Sequence, residues 1–188
     1  MEGKRLKHAL YMYLTRNGNK RTAYLKKHHI FGAIGENCFI NDRKIPLYAN
    51  LIRLGNNVRV ASGVDFITHD ISYRVINNMK SDTPVKTREY IGCIEVGDNV
   101  FIGSHTTILP DVKIGSNVII GACSLVNKDV PDGSVVAGVP ARVIGSFDDF
   151  VAKRVAGVNY PAEFKASRET VSEPFAEWLW EDFRKRRS

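Results

Sequence analysis

Residues 96–130, VGDNVFIGSHTTILPDVKIGSNVIIGACSLVNKDV, return an aliphatic side chain every six positions: Val96, Ile102, Ile108, Ile114, Ile120 and Val126. Four of the six are followed by glycine: Gly97, Gly103, Gly115 and Gly121. A second inward set falls four residues on, at Val100, Thr106, Val112, Val118, Ser124 and Val130. An α-helix needs a period near 3.6, and a half-buried strand alternates. A period of six fits neither; it is the mark of hexapeptide repeats, each building one flat face of a coil. Three hexapeptides close one turn, so residues 18 apart stack and each coil buries its ladder against its neighbours. The spacing predicts a parallel β-helix with glycine at the corners, where the backbone adopts a conformation costly for residues with a Cβ. A run of antiparallel strands with evenly spaced glycine turns is the rival, and six unbroken registers speak against it. The period does not set the hand of the coil.

Working outward, the repeat begins at Ile34-Gly35, keeps its spacing to Ile40, slips through Asn41–Asn50, and resumes at Leu54-Gly55 with Val60 and Phe66. Ile34 to Leu54 is 20 residues, one coil and two more. Leu54 to Val96 is 42, one coil and 24 more, so an excess of that length leaves the rod as a loop over roughly Thr68–Glu89. Long loops on rigid scaffolds are where function concentrates. Upstream, Leu6, Leu10, Tyr13 and Leu14 share one helical face, Asn17-Gly18-Asn19 is a stop signal, and Lys20–His28 is a second short helix. Both helices are expected to cover the open end of the rod. Downstream of a turn at Pro131–Ser134 come a last strand pair and two helices, 147–157 and 173–186, the second with Phe175, Trp178, Leu179 and Phe183 on one face. The expected organisation is a basic helical cap at 1–30, the β-helix at 31–145 with its loop at about 67–90, and a helical extension at 146–188.

The composition, 44% hydrophobic and 25% charged over 188 residues, is that of a soluble globular chain. No stretch reaches the roughly 20 apolar residues of a membrane span, and the N-terminus is too polar for a signal peptide. Cys38, Cys93 and Cys123 have neither metal-ligand spacing nor a CxxC. A reducing, cytoplasmic setting without structural disulfides is expected. The charge is uneven: residues 1–30 hold eight Lys or Arg against Glu2, while the remainder balances at 19 basic and 19 acidic residues. No nucleic-acid motif accompanies this excess, so no nucleic-acid partner is expected. The basic end reads as the solvated face of a helix, with peripheral contact to an anionic membrane as the alternative.

The segment VGDNVFIGSHTTILPDVKIGSNVIIGACSLVNKDVPDGSVVAGVPARVIG, with IGS, IGAxS, KDVP and GVPAR in order, resembles the hexapeptide acyltransferases. The nearest branch is the sugar and polysaccharide O-acetyltransferases: the galactoside, maltose, nodulation and capsular enzymes. The resemblance covers about residues 34–145. It implies a left-handed parallel β-helix, a homotrimer with active sites between subunits, acetyl-CoA as donor and no required metal. It implies that the histidine of Thr68-His69-Asp70 is the catalytic base, a role the chemistry needs because a sugar hydroxyl is a poor nucleophile until a neutral imidazole takes its proton. It also implies that the Ser104 and Ala122 backbone faces the thioester and pantetheine of acetyl-CoA, and that Lys128 and Arg142 lie near its phosphates. Asp70, Tyr73 and Arg74 of the loop would line the acceptor side. The Asn-rich acceptor segment of the galactoside and maltose enzymes is not recognisable in Asp42–Arg53, and the maltose-type N-terminal motif is absent. That departure favours a cell-surface saccharide or its precursor over a free disaccharide.

Three other readings remain in view. A γ-class carbonic anhydrase would use His69 and His105, 36 apart, but its third ligand would fall at Pro110. An antibiotic acetyltransferase of the streptogramin or chloramphenicol type would carry a longer, differently composed loop. A non-catalytic trimeric scaffold would have no reason to keep the loop histidine together with GVPAR.

Overall fold

The computed structural model describes residues 2–79, 86–157, 160, 161, 163, 164, 167 and 170–187. Residues Met1–Phe150 form one compact unit and Val151–Ser188 a second. In the first unit the coils follow one another in chain order. The first coil has strands β1 (Ala33–Ile34) and β2 (Phe39–Ile40). The second has β3 (Ile52–Leu54), β4 (Arg59–Val60) and β5 (Asp65–Phe66). An excursion then carries β6 (His69–Asp70) and β7 (Tyr90–Ile91). The third coil has β8 (Ile94–Val96), β9 (Val100–Ile102) and β10 (Thr107–Ile108), the fourth β11 (Val112–Ile114), β12 (Val118–Ile120) and β13 (Leu125–Val126). Strands β14 (Ser134–Ala137) and β15 (Arg142–Ser146) close the rod as an antiparallel pair.

The coils stack into three parallel faces: β1-β3-β8-β11, β2-β4-β9-β12-β14 and β5-β10-β13. The register follows the sequence spacing. Ile94 lies against Val112 and Val100 against Val118, each pair one regular coil apart. Ile34 meets Leu54 across the slipped segment, and Leu54 meets Val96 across the excursion. Val96, Ile102, Ile108, Ile114, Ile120 and Val126 are all buried, each at most 2% exposed. Thr106 and Ser124 are buried too, and their hydroxyls both donate to the Gly121 carbonyl. A buried hydroxyl without such an acceptor would be costly.

The corner glycines serve a different purpose from the one their spacing predicts. The left-handed residue of each corner lies two positions further on, at Asn99, His105, Asn117 and Cys123, with φ of 57°, 58°, 55° and 57°. The glycines give clearance: a Cβ on Gly103 would lie 2.5 Å from the Ala122 nitrogen of the next coil. Asparagine suits the left-handed position, and at the corner between the first two faces it also builds a ladder. Asn37, Asn57 and Asn99 donate in turn to Asn57, Asn99 and Asn117 at 3.0, 2.9 and 3.0 Å.

At the open end, α1 (Glu2–Leu14) and α2 (Gly18–Lys27) pack on the first coil. Asn17 caps α2, which therefore starts two residues before the predicted Lys20. The Thr22 hydroxyl accepts the Ile40 amide of β2 at 2.8 Å and so satisfies a donor at the sheet edge. The face of α1 predicted to pack, Leu6, Leu10, Tyr13 and Leu14, is exposed instead. The helix turns its other side inward: Met12 is buried, Tyr11 stacks on Tyr24 at 3.7 Å, and the His8 ring meets the Tyr24 hydroxyl at 2.9 Å. Aromatic contact across the helix pair selects that rotation over the leucine stripe.

Helix α3 is Tyr73–Asn77, and α4 is Phe147–Gly157, matching its sequence bounds. In the second unit α5 spans Glu173–Lys185, and its buried Phe175 stacks on Phe164 at 4.8 Å. Among the described residues no helix is long and apolar enough to cross a membrane.

Candidate active site

The third corner, between the β5 and β8 faces, is where the second coil opens. Instead of turning, the chain leaves through β6 and returns through β7, which pair antiparallel with His69 opposite Ile91 and Asp70 opposite Tyr90. Both strands are pinned to the rod. The buried Thr68 hydroxyl donates to the Leu47 carbonyl at 2.7 Å, and the Gly92 amide donates to the Thr68 carbonyl at 2.9 Å. On the returning side the Tyr90 hydroxyl donates to the Asp111 carboxylate, whose other oxygen accepts the Cys93 amide at 3.0 Å. The hydrogen bond to Asp111, helped by desolvation and by that negative charge, raises the Tyr90 hydroxyl above the usual phenol range.

His69 is half-buried at this root. Its Nδ1 is enclosed and meets no hydrogen-bond partner among the described residues. The Tyr48 ring stands edge-on to the imidazole, with centroids 5.3 Å apart and planes at 79°. Tyr48 is itself left-handed, at φ 51°, and its hydroxyl lies 3.4 and 3.5 Å from the two Glu89 carboxylate oxygens. Neither Tyr48 nor Glu89 stands out in the sequence; their link to His69 spans the slipped register at one end and the excursion at the other.

Asp70 engages its own loop. Its carboxylate accepts the Ser72 amide at 2.6 Å, and hydrogen bonds from the Ser72 side chain and backbone hold it below the ordinary carboxylate range, with a smaller contribution from His69. Tyr73 and Arg74 begin α3, where the Arg74 Nε donates to the Tyr73 hydroxyl at 3.3 Å. Residues 80–85 of the expected loop lie outside the described residues.

The remaining predicted residues fall at two corners. Ser104 and Ala122 stack at the second corner, between the β9 and β10 faces, where the Ser104 carbonyl accepts the Cys123 amide at 2.8 Å. Lys128 and Arg142 share a groove of about 360 Å³ with Val126, Asp129 and Val143. The Asp129 carboxylate there is tied to the Lys113 amide at 2.8 Å, and both cations remain exposed. Lys128 belongs to the same corner as His69, two coils further along, about 10 Å at ordinary strand spacing. One chain thus presents His69 and Lys128 along one corner, with the Ser104 and Ala122 backbone along another. His105 sits at the second corner, its ring filling the space beside Gly63. The two histidines weighed as zinc ligands therefore occupy different corners. Among the described residues no group of three or more His, Cys, Asp or Glu is placed to hold a metal ion.

Comparison with known proteins bears on this arrangement. Residues 94–128 match the model of the bacterial transferase hexapeptide family (six repeats). Protein CapG of Staphylococcus aureus is 36% identical over 121 residues, which span 64% of this chain and 67% of CapG. The chain belongs to the hexapeptide-repeat transferase family. Among solved structures, a maltose O-acetyltransferase from Clostridium difficile 630 is 28% identical, with a TM-score of 0.56 over 74% of this chain and 82% of that one. A galactoside acetyltransferase in complex with coenzyme A is 27% identical, with a TM-score of 0.53 over 88% of this chain and 89% of that one. These hexapeptide-repeat relatives match the branch that IGS, IGAxS, KDVP and GVPAR point to.

Proposed function

We propose that this chain is an acetyl-CoA-dependent O-acetyltransferase acting on a saccharide hydroxyl, with His69 as general base and the coil wound left-handed as the family resemblance implies. The observation that carries the reading is the position of His69. It stands at the root of a pinned excursion, against Tyr48, on the corner that also bears Lys128. Because Nδ1 is enclosed, Nε2 is assigned to the acceptor hydroxyl. As the hydroxyl oxygen attacks the thioester carbonyl, His69 takes its proton; the C–O bond forms, the C–S bond breaks, and the imidazolium returns the proton to the departing CoA thiolate. No acyl-enzyme is invoked, since none of the three cysteines lies in a motif that activates a thiol.

The relatives with galactoside and maltose in their names support a saccharide acceptor, and the CoA complex supports the donor. Lys128 and Arg142 would meet the donor phosphates, while the Ser104 and Ala122 amides would face the thioester and pantetheine. With those groups on different corners of one chain, the complete site takes one corner from each of two neighbouring copies in a homotrimer. The acceptor favoured is a cell-surface polysaccharide or its precursor.

The test is CoA thiol release from acetyl-CoA with sugars, nucleotide-sugars and antibiotics as acceptors, comparing wild type with His69→Ala. Release stimulated by one acceptor and abolished by the substitution, with acetyl-CoA binding intact, is the expected result. Failure to bind acetyl-CoA would return the scaffold reading to the front. Mixing His69→Ala chains with Ala122→Glu chains tests the shared site, since only mixed oligomers then contain an intact one; no recovered activity would refute it.

A further inference from the structure

An open cavity of about 490 Å³ lies between the N-terminal helices and the slipped segment of the first coil. That volume suits a small ligand such as a mono- or disaccharide. One wall is Ile30 and Ile45–Tyr48, apolar in the way that suits the C–H faces of a sugar ring; the other presents Arg5, His8, His28 and His29. Among the described residues its lining contains no Asp or Glu. Two contacts connect this cavity to the candidate catalytic histidine. Tyr48 lines it and stands against the His69 ring, and the carbonyl of its neighbour Leu47 holds the Thr68 hydroxyl at 2.7 Å.

The basic groups are positioned by the fold. Arg5 Nη2 donates to the Ile45 carbonyl at 3.2 Å, which leaves the rest of the guanidinium for a ligand. His8 and His28 rings lie 5.4 Å apart, and the His8 Nδ1 meets the Tyr24 hydroxyl at 2.9 Å. His29 takes a left-handed turn, φ 49°, directly after α2. The nearby carboxylate of Glu89 lies beyond Tyr48, within reach of its hydroxyl. One guanidinium and three imidazoles are thus gathered around one cavity whose described lining holds no carboxylate.

We infer that this cavity seats an anionic group of the acceptor, a carboxylate or a phosphate carried by the saccharide, and thereby selects acidic over neutral sugars. The inference rests on the acetyltransferase reading of His69 for its acceptor role, and on the cavity alone for its preference for anions. A charge-assisted contact from Arg5 fixes the anion, the apolar wall takes the ring, and the neighbouring hydroxyl is delivered toward His69. Arg5, one of the eight basic residues of the N-terminal segment, then has a local purpose beyond a solvated helix face.

The experiment is calorimetric binding of matched probes to the full chain: glucuronate, glucose 6-phosphate and glucose, then galacturonate, galactose 6-phosphate and galactose. Wild type, Arg5→Glu, Arg5→Lys and His69→Ala are compared, with acetyl-CoA binding and CoA release measured on the same samples. At least one acidic member of a set is expected to bind about tenfold or more tightly than its neutral parent. Arg5→Glu removes that preference, Arg5→Lys keeps part of it, and acetyl-CoA affinity stays unchanged. Uronate against sugar phosphate tells carboxylate from phosphate. Equal binding of acidic and neutral members, or a preference indifferent to Arg5→Glu, overturns the inference, and with His69-dependent CoA release retained it overturns the inference alone. An intact anion preference with CoA release indifferent to His69→Ala overturns the catalytic reading, and the acceptor role with it.

Discussion

Two corners of the same coil differ in what they repeat. The first corner is uniform: Asn37, Asn57, Asn99 and Asn117 adopt the same left-handed turn and hydrogen-bond in one line. The line continues unbroken from Asn57 to Asn99, as though the excursion between them did not exist. The third corner repeats only an aspartate, Asp111 and Asp129, each accepting a backbone amide. Its successive levels are the β6–β7 excursion with His69, then Pro110-Asp111, then Lys128-Asp129. One corner makes the same polar contact at every level, while beside its recurring aspartate the other changes from His69 to Pro110 to Lys128. Regularity in this rod marks structure, and its interruption carries the residue proposed as the general base.

That comparison can be broken at either corner. The largest effect is expected at the third: His69→Ala should lower acceptor-dependent CoA release by about 10²–10⁴-fold, the range for a general base, without changing the unfolding midpoint. At the first corner the pattern inverts. Gly97→Ala puts a Cβ 2.6 Å from the Ser116 hydroxyl and 2.9 Å from the Gly115 backbone. It should cost about 1–3 kcal/mol in urea unfolding while turnover per folded chain holds. Asn99→Ala, which loses two ladder bonds and strains its left-handed backbone, should cost about 1–2 kcal/mol. Asn99→Gly should cost less, because it keeps the backbone and loses only the ladder; an equal loss would mean the turn itself contributes nothing. Tyr48→Phe sharpens the contrast from the other side. Without the hydroxyl near Glu89 but with the ring still against His69, kcat should fall only about two- to threefold.

The smallest effect is at Asp70, whose folded carboxyl lies below its unfolded value because Ser72 donates to it. Its contribution to stability is therefore present above the unfolded value and lost as pH falls through the folded one. A carboxyl ¹³C titration should place its midpoint below the ordinary aspartate range. An ordinary midpoint would remove the Ser72 turn from the account.

The rod was legible because a period of six is a long-range signal written locally: Val96, Ile102 and Ile108 announce both the face and the turn. Even the excess between Leu54 and Val96 could be placed, since the register resumes on the same phase. The reason for the corner glycines was not legible, because it lies in the coil above; Gly103 is small for the sake of the Ala122 backbone. Nor was the rotation of α1, where two stripes competed and Tyr11 on Tyr24 won over the exposed Leu6, Leu10, Tyr13 and Leu14. In the site, His69 carried a motif. Tyr48 instead depends on a contact remote in sequence, made from a left-handed turn that tyrosine does not advertise. The separation of His69 from Ser104 was available by counting hexapeptides around the coil, since Ser104 shares its corner with Ala122 of the next coil.

The pairing of β6 with β7 has one more consequence. The chain leaves the rod and rejoins it at a single point, closed by Thr68 on one side and Gly92 on the other. Whatever lies beyond that closure can change in length and composition without shifting Leu54 from Val96. On the proposed acetyltransferase reading, the rod would bear the CoA-side groups and the loop would face the acceptor, so the two would be separable in inheritance. Contacts made by the loop could then change by exchange of a cassette, while the rod and the cavity under the N-terminal helices pass on unaltered.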